Sequence, residues 1–225
     1  MKAFTKAALA MAIVGSTFAG TASAQAIIFN TGDAASANIA LGVDSLGQLN
    51  INDPYGATRT ANASGVVGLA KRFDDGSLRD ATAPGCLCEG WGVSGTLVDT
   101  ATAYSGYANN SVGTGNLTLS SFVTDAGAGT GSYAVSNVYL TNLPGLQVQQ
   151  HYAAAANAPG NLFVNTVTIT NNTGSAMDDV RYVRVMDWDV PPTEFYELVS
   201  IKGTATTTLL EKSHNNGFSS ADPLN

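Results

Sequence analysis

Residues 162–190 read LFVNTVTITNNTGSAMDDVRYVRVMDWDV, and no other stretch limits the fold as tightly. Val167 and Ile169 fall on one face of an extended segment, and Thr166, Thr168 and Thr170 fall on the other. That is the period of two expected of a half-buried strand. Asn171, Asn172, Thr173 and Gly174 follow, residues that tolerate the left-handed backbone a chain reversal often needs. Residues 180–188 then read as a return strand, so the stretch is expected to form a hairpin that the rest of the chain covers.

The remaining sequence favours the same class. Charged residues make up only 12% of the chain, so solubility must rest on hydroxyls, amides and exposed backbone. Glycine and β-branched threonine, both abundant, disfavour helix. Short apolar pieces such as Ile27, Ile28 and Phe29 are separated by turn residues. Turn signals stand at 53–56 (Asp-Pro-Tyr-Gly) and 74–77 (Asp-Asp-Gly-Ser), the second placed as in a hairpin. A strand is expected at 116–123, and a pair of strands is expected around Leu143-Pro144-Gly145. Residues 152–156 are expected to be a loop or one helical turn, and further strands are expected at 194–202 and 206–211. The sum is an all-β chain, an antiparallel β-sandwich of about ten short strands. No strict internal repeat is present, which argues against a solenoid or propeller.

Lys2 and Lys6 precede an apolar run at 7–15, and small residues lead to Ala22-Ser23-Ala24. This is the pattern of a secretory signal peptide over residues 1–24. Residues 25–225 are then one β-sandwich domain, and its loop-like ending without a closing strand leads us to expect that it is incomplete at the C-terminus. The apolar run is too short to span a bilayer and no later segment is long enough. Without the leader, eight basic residues face seventeen acidic ones, a net charge of −9. Nucleic acid and anionic lipid are therefore poor partners.

Two local sequences carry candidate chemistry. Cys86 and Cys88, in Pro-Gly-Cys-Leu-Cys-Glu-Gly-Trp-Gly, would stand about 6.5–7 Å apart on an extended strand, too far for a disulfide without a kink. A kinked local bridge, an intermolecular bridge and free thiols all remain open, and a structural role outweighs a metal or redox one. Asp187 and Asp189, two residues apart, would share one strand face and form a weak Ca²⁺ candidate, with Glu194 as a further ligand. The alternative is that Arg181 or Arg184 pairs with one of them. A glycosidase pair drawn from Asp187, Asp189, Glu194 and Glu197 is a weaker reading. His151 and His214 lack a Gly-x-Ser-x-Gly elbow to serve. Trp91, Tyr104, Tyr107, Tyr152, Trp188 and Tyr196 are expected mainly in the core rather than on a sugar-stacking platform.

The leader, the segment at 84–92, and the Asn165-to-Gly174 and Val180-to-Val190 wording resemble secreted β-rich bacterial proteins of the exosortase-sorted (PEP-CTERM) kind. The sorting tail of that group, a Pro-Glu-Pro motif with an apolar helix and a basic cluster, is absent from the sequence. The resemblance implies export, location in the cell envelope or extracellular matrix, and association with exopolysaccharide, with no catalytic residue to carry over. The expected function is a non-catalytic matrix-associated protein, and the alternative is a secreted carbohydrate-binding or carbohydrate-cleaving protein. No cofactor is expected beyond the Ca²⁺ candidate. Self-association is an expectation too, because the strands have few charged gatekeepers.

Overall fold

A computed structural model describes residues 24–52, 58–59, 65–84, 86–125, 130–196 and 220–224. The described residues are all-β and contain no helix. Sixteen strands, numbered in chain order, include fourteen in antiparallel ladders and two short ones, β4 and β12, that pair parallel.

Two four-stranded sheets face each other. One has the order β10 (Gly113–Gly115), β9 (Thr102–Asn109), β8 (Glu89–Leu97), β16 (Met177–Met186). The other has the order β11 (Leu117–Thr124), β13 (Tyr133–Leu140), β14 (Leu143–Ala154), β15 (Phe163–Asn171). Between them lie Trp91, Val93 and Ala108 from the first and Val138, Leu140, Leu146 and Val148 from the second, with Val167 and Ile169 packed alongside. The alternation read in the sequence is the cause: Thr166, Thr168 and Thr170 point to solvent while Val167 and Ile169 turn to the core. Each fully buried aliphatic side chain of this kind stabilises by roughly 1.5–3 kcal/mol.

The third sheet has the order β12 (Thr130–Gly131), β1 (Gln25–Phe29), β2 (Ile39–Asp44), β6 (Leu69–Arg72), β7 (Leu78–Asp80), β4 (Thr58–Arg59). Both of its faces are covered. Ala26, Ile28, Leu41 and Val43 pack with Ala134, Tyr152 and Phe163 of the sandwich. Ile27, Phe29 and Ala40 pack with Ile51 of β3 (Ile51–Asn52), Val67 of β5 (Val66–Val67) and Leu78. Burial on both sides explains why β1 and β2 read as unbroken apolar runs rather than alternating ones.

Several expectations are corrected. β15 and β16 do not form a hairpin: β15 pairs with β14 and β16 with β8, so the turn at 172–176 carries the chain from one sheet to the other. Both strands have apolar residues to bury, and opposite walls of one core satisfy both. The turn between β13 and β14 is at Thr141–Asn142, and Pro144 and Gly145 lie inside β14. Residues 152–154 finish β14 rather than starting a helical turn, since Tyr152 and Ala153 pair with Asn165 and Val164. β8 and β9 were hidden by glycine. Gly92 has no room for a side chain, because a Cβ there would stand 1.9 Å from the Ala221 carbonyl oxygen. The hairpin at 74–77 forms as read, joining β6 to β7, with Gly76 at φ +80°. Residues 194–196, where a strand was expected to begin, are turn and irregular chain; the turn at 53–56, residues 1–23 of the leader, the rest of the strand expected at 194–202 and the strand expected at 206–211 lie outside the described residues.

Candidate functional site

The segment 44–50, leaving β2, passes between the sheets, and side chains from both of them hold its backbone. Trp91 Nε1 donates to the Leu46 carbonyl at 2.8 Å. Ser136 Oγ donates to Ser45 O at 2.7 Å, and the Leu49 N–H donates to Glu89 Oε2 at 2.7 Å. Around this segment gathers a dense polar cluster: Glu89 and Arg184 from β8 and β16, Gln150 and Tyr152 from β14, and Tyr182 and Asn165 at its margin.

Arg184 is the hub. Its Nη2 lies 2.7 Å from Glu89 Oε1 and donates to Gly47 O at 3.1 Å. Glu89 Oε1 has no hydrogen bond of good angle, so that contact is chiefly Coulombic. Nη1 donates to Tyr152 at 2.7 Å and Gln150 Oε1 at 3.0 Å. Tyr182 and Asn165 also donate to Gln150 Oε1, at 2.9 and 3.2 Å. The Tyr152 hydroxyl is 2.7 Å from both Gly47 O and Gln150 Oε1 and has one proton for the two. Gln150 Nε2 and Asn165 Oδ1 are buried without a protein partner.

Burial dominates the protonation of this cluster. It pushes the Glu89 carboxyl up, against the pull of Arg184 and the Leu49 N–H. It holds the Tyr152 and Tyr182 phenols above their usual range. For Arg184, burial opposes the charge, but Tyr152, Glu89 and Tyr182 prevail and the guanidinium stays protonated. Asp44, at the end of β2, is pushed up to about 6 by burial, against the N–H groups of Gln48 and Leu46 and the charge of Arg184.

Asp44 yields a prediction. Its folded value lies above the 3.8 of the free carboxyl, so its contribution to stability is fullest below about pH 4 and is lost as pH rises through about 6. The difference corresponds to about 3 kcal/mol. Asp44→Asn keeps an acceptor for the Leu46 and Gln48 N–H groups, which now sit at 2.8 and 2.9 Å, and removes the charge. The variant is expected to gain about 1–3 kcal/mol at pH 8 and little at pH 4, read from urea denaturation at both pH values.

A cavity of about 300 Å³ adjoins the cluster. Its walls are mainly apolar, with Leu41, Leu69, Phe163 and Trp188, and Asn165 and Arg184 add polar lining.

The residues singled out in the sequence are elsewhere. Cys86 and Cys88 are bonded to each other, and the backbone draws their Cα atoms to 5.2 Å, shorter than the extended spacing that made the bridge doubtful. Asp187 and Asp189 do not share a strand face, because β16 ends at Met186. Asp187 is half-buried, its N–H donates to Cys88 O at 2.9 Å, and its Oδ2 lies 3.7 Å from Cys86 Sγ. Asp189 is buried and its N–H donates to Ala81 O at 2.9 Å. Asp187, Cys86 and Cys88 do cluster. With the sulfurs joined as a disulfide, however, the donor set offers one carboxylate, which does not fit a cation that takes six to eight oxygens. Asp189 joins no cluster of three or more such donors among the described residues. The arginines pair elsewhere too, Arg184 with Glu89 and Arg181 with Asp179 at 2.6 Å.

Glu194 is half-buried in a turn, and Glu197 and His214 lie outside the described residues. His151 is exposed on β14, edge-on to Tyr133. Trp91 and Tyr152 are core residues, while Trp188 stands half-buried in the cavity wall and Tyr196 is exposed. Sequence reasoning missed Glu89 and Gln150 altogether. The available signal was a glutamate set between Cys88 and Gly90-Trp91, and an arginine between Val183 and Val185, both in strand-like surroundings.

Compared with protein families, curated proteins and solved structures, the chain matches none.

Proposed function

We propose that the chain is an exported, non-catalytic β-sandwich that serves in the bacterial cell envelope or extracellular matrix. The observation that carries this reading is the state of Arg184. Both of its terminal nitrogens are committed inside the protein, to Glu89, Gly47, Gln150 and Tyr152. Ionisable groups consumed in this way hold sheets together; a reaction needs such groups to be offered to a substrate. The leader pattern, the acidic balance and the family resemblance support export and the envelope. The expected result is no turnover when the purified chain is incubated with glycan, ester and peptide substrates. Glycan cleavage abolished by Asp187→Asn would overturn the reading.

A second reading, carbohydrate binding, is favoured by the cavity beside Arg184. Its lining sets the apolar side chains of Leu162, Phe163 and Trp188 beside the polar Asn165 and Arg184, the combination of apolar surface and a few polar groups that a small-ligand site uses. A glycan array and tryptophan fluorescence titration separate the two readings. Saturable binding lost in Trp188→Ala supports the second, and no binding to any glycan removes it.

A further inference from the structure

Sheet edges invite pairing unless they are short, bulged or charged. Three of the four edges of the facing sheets have such protection. β10 is only three residues long. β16 carries Asp178, Asp179 and Arg181, and its register shifts between Asp178 and Arg181. β11 has a register shift between Leu119 and Ser121 and is followed by Asp125.

β15 has none of these devices. Its nine residues pair with β14 in unbroken register from Leu146↔Asn171 to Ala154↔Phe163. It contains no charged residue and no proline, and among the described residues no strand pairs with its outer edge. The sheet that carries it is uncharged along all four strands, because between positions 100 and 177 Asp125 is the sole Asp, Glu, Lys or Arg in the sequence and it lies just beyond β11. On the outward face, Thr170, Thr168 and Thr166 stand beside Gln147, Gln149 and His151 of β14.

The strand is also self-complementary. Asn165-Thr-Val-Thr-Ile-Thr-Asn171 has nearly the same sequence in both directions about Thr168. We propose that β15 is a self-pairing edge: a second copy of the chain aligns its β15 antiparallel to the first about a twofold axis at Thr168. Two four-stranded sheets then become one of eight strands. In this register Thr166 faces Thr170 on the solvent side and Val167 faces Ile169 on the core side. These are hydroxyl–hydroxyl and β-branched pairs that stabilise antiparallel ladders, and the symmetry is that of an isologous dimer. Charge selects the same edge. A chain with a net charge of −7 repels its copies, and a ladder of β15 with its twin contains no charged side chain. The pairing does not rest on the proposed matrix function.

Sedimentation velocity of the purified chain across a concentration series is expected to show a monomer–dimer equilibrium. Thr168→Lys sets two ammonium groups opposite each other and is expected to weaken the dimer at least about tenfold, with the melting temperature of the monomer unchanged. Val123→Lys, on the far edge strand β11, is expected to leave the equilibrium as it was. Thr168→Cys is expected to give a covalent dimer on mild oxidation, and Thr166→Cys alone is not. A monomer at every concentration, a dimer indifferent to Thr168→Lys, or cross-linking of the Thr166→Cys variant in place of the Thr168→Cys variant overturns the proposal. None of those results touches the non-catalytic reading, which falls only if a substrate is turned over.

Discussion

Arg184→Met is expected to lower the unfolding free energy by about 3–5 kcal/mol, the cost of leaving a buried charge without its partner. Glu89, fully buried, keeps only the Leu49 N–H. Gln150 and Tyr152 lose a donor, and Gly47 O loses one of its two. For a domain of this size the melting temperature falls by roughly 6–20 °C. The loss has a pH signature. Burial already pushes the Glu89 carboxyl up, and removing the opposing cation pushes it further, so the variant is least stable at alkaline pH and recovers as pH falls through the raised value. Adding Glu89→Leu to Arg184→Met removes the stranded carboxylate, and at least half of the lost stability is expected to return. A loss below about 1 kcal/mol for the single variant would mean that water reaches the cluster and that the charge pair is no more than a surface bridge.

Trp91→Ala is the second large effect, about 3–5 kcal/mol by the usual cost of emptying an aromatic core site. Trp91 is fully buried, stacks on Tyr182 with ring centroids 5.8 Å apart, and ties the 44–50 segment through Leu46 O. Its ring fills the gap between β8 and the facing sheet, so the cavity left behind is walled by rigid strands and collapses poorly. Trp91→Phe keeps most of the volume and loses the N–H, and a loss of about 1–2 kcal/mol is expected, the cost of one buried acceptor left unmet. Guanidinium denaturation of both variants checks the order. Equal losses would show that the hydrogen bond, rather than the ring volume, carries the site. Either the Arg184 or the Trp91 loss is a large share of the roughly 5–15 kcal/mol that a domain has.

Arg184 also shows where the sequence was readable. Tyr182 and Arg184 share one face of β16, and the alternation that places them there is local. Their partners are not local: Glu89 is 95 positions before Arg184, and no spacing links the two. The cysteine pair was visible as a problem because its two-residue spacing sets a distance, and the backbone solved it by shortening that distance to 5.2 Å. Asp187 and Asp189 looked like a site because two carboxylates at that spacing share a strand face. The inference failed at its premise, since the strand stops one residue earlier. The glycines of β8 misled for a different reason. Gly90 and Gly92 give no strand signal in the sequence, yet they lie in a central strand where other backbone passes too close for a side chain.

The sequence alone determined that the chain forms short antiparallel strands, which face of β15 is wet, and that helix is disfavoured, because alternation and propensity act between near neighbours along the chain. Only the tertiary structure decided that β15 and β16 part to opposite sheets, that Glu89 meets Arg184, and which sheet edge is left unpaired among the described residues. Those outcomes depend on how apolar faces share one core and on the register of strands far apart in sequence, and nothing in the spacing of residues along the chain encodes either.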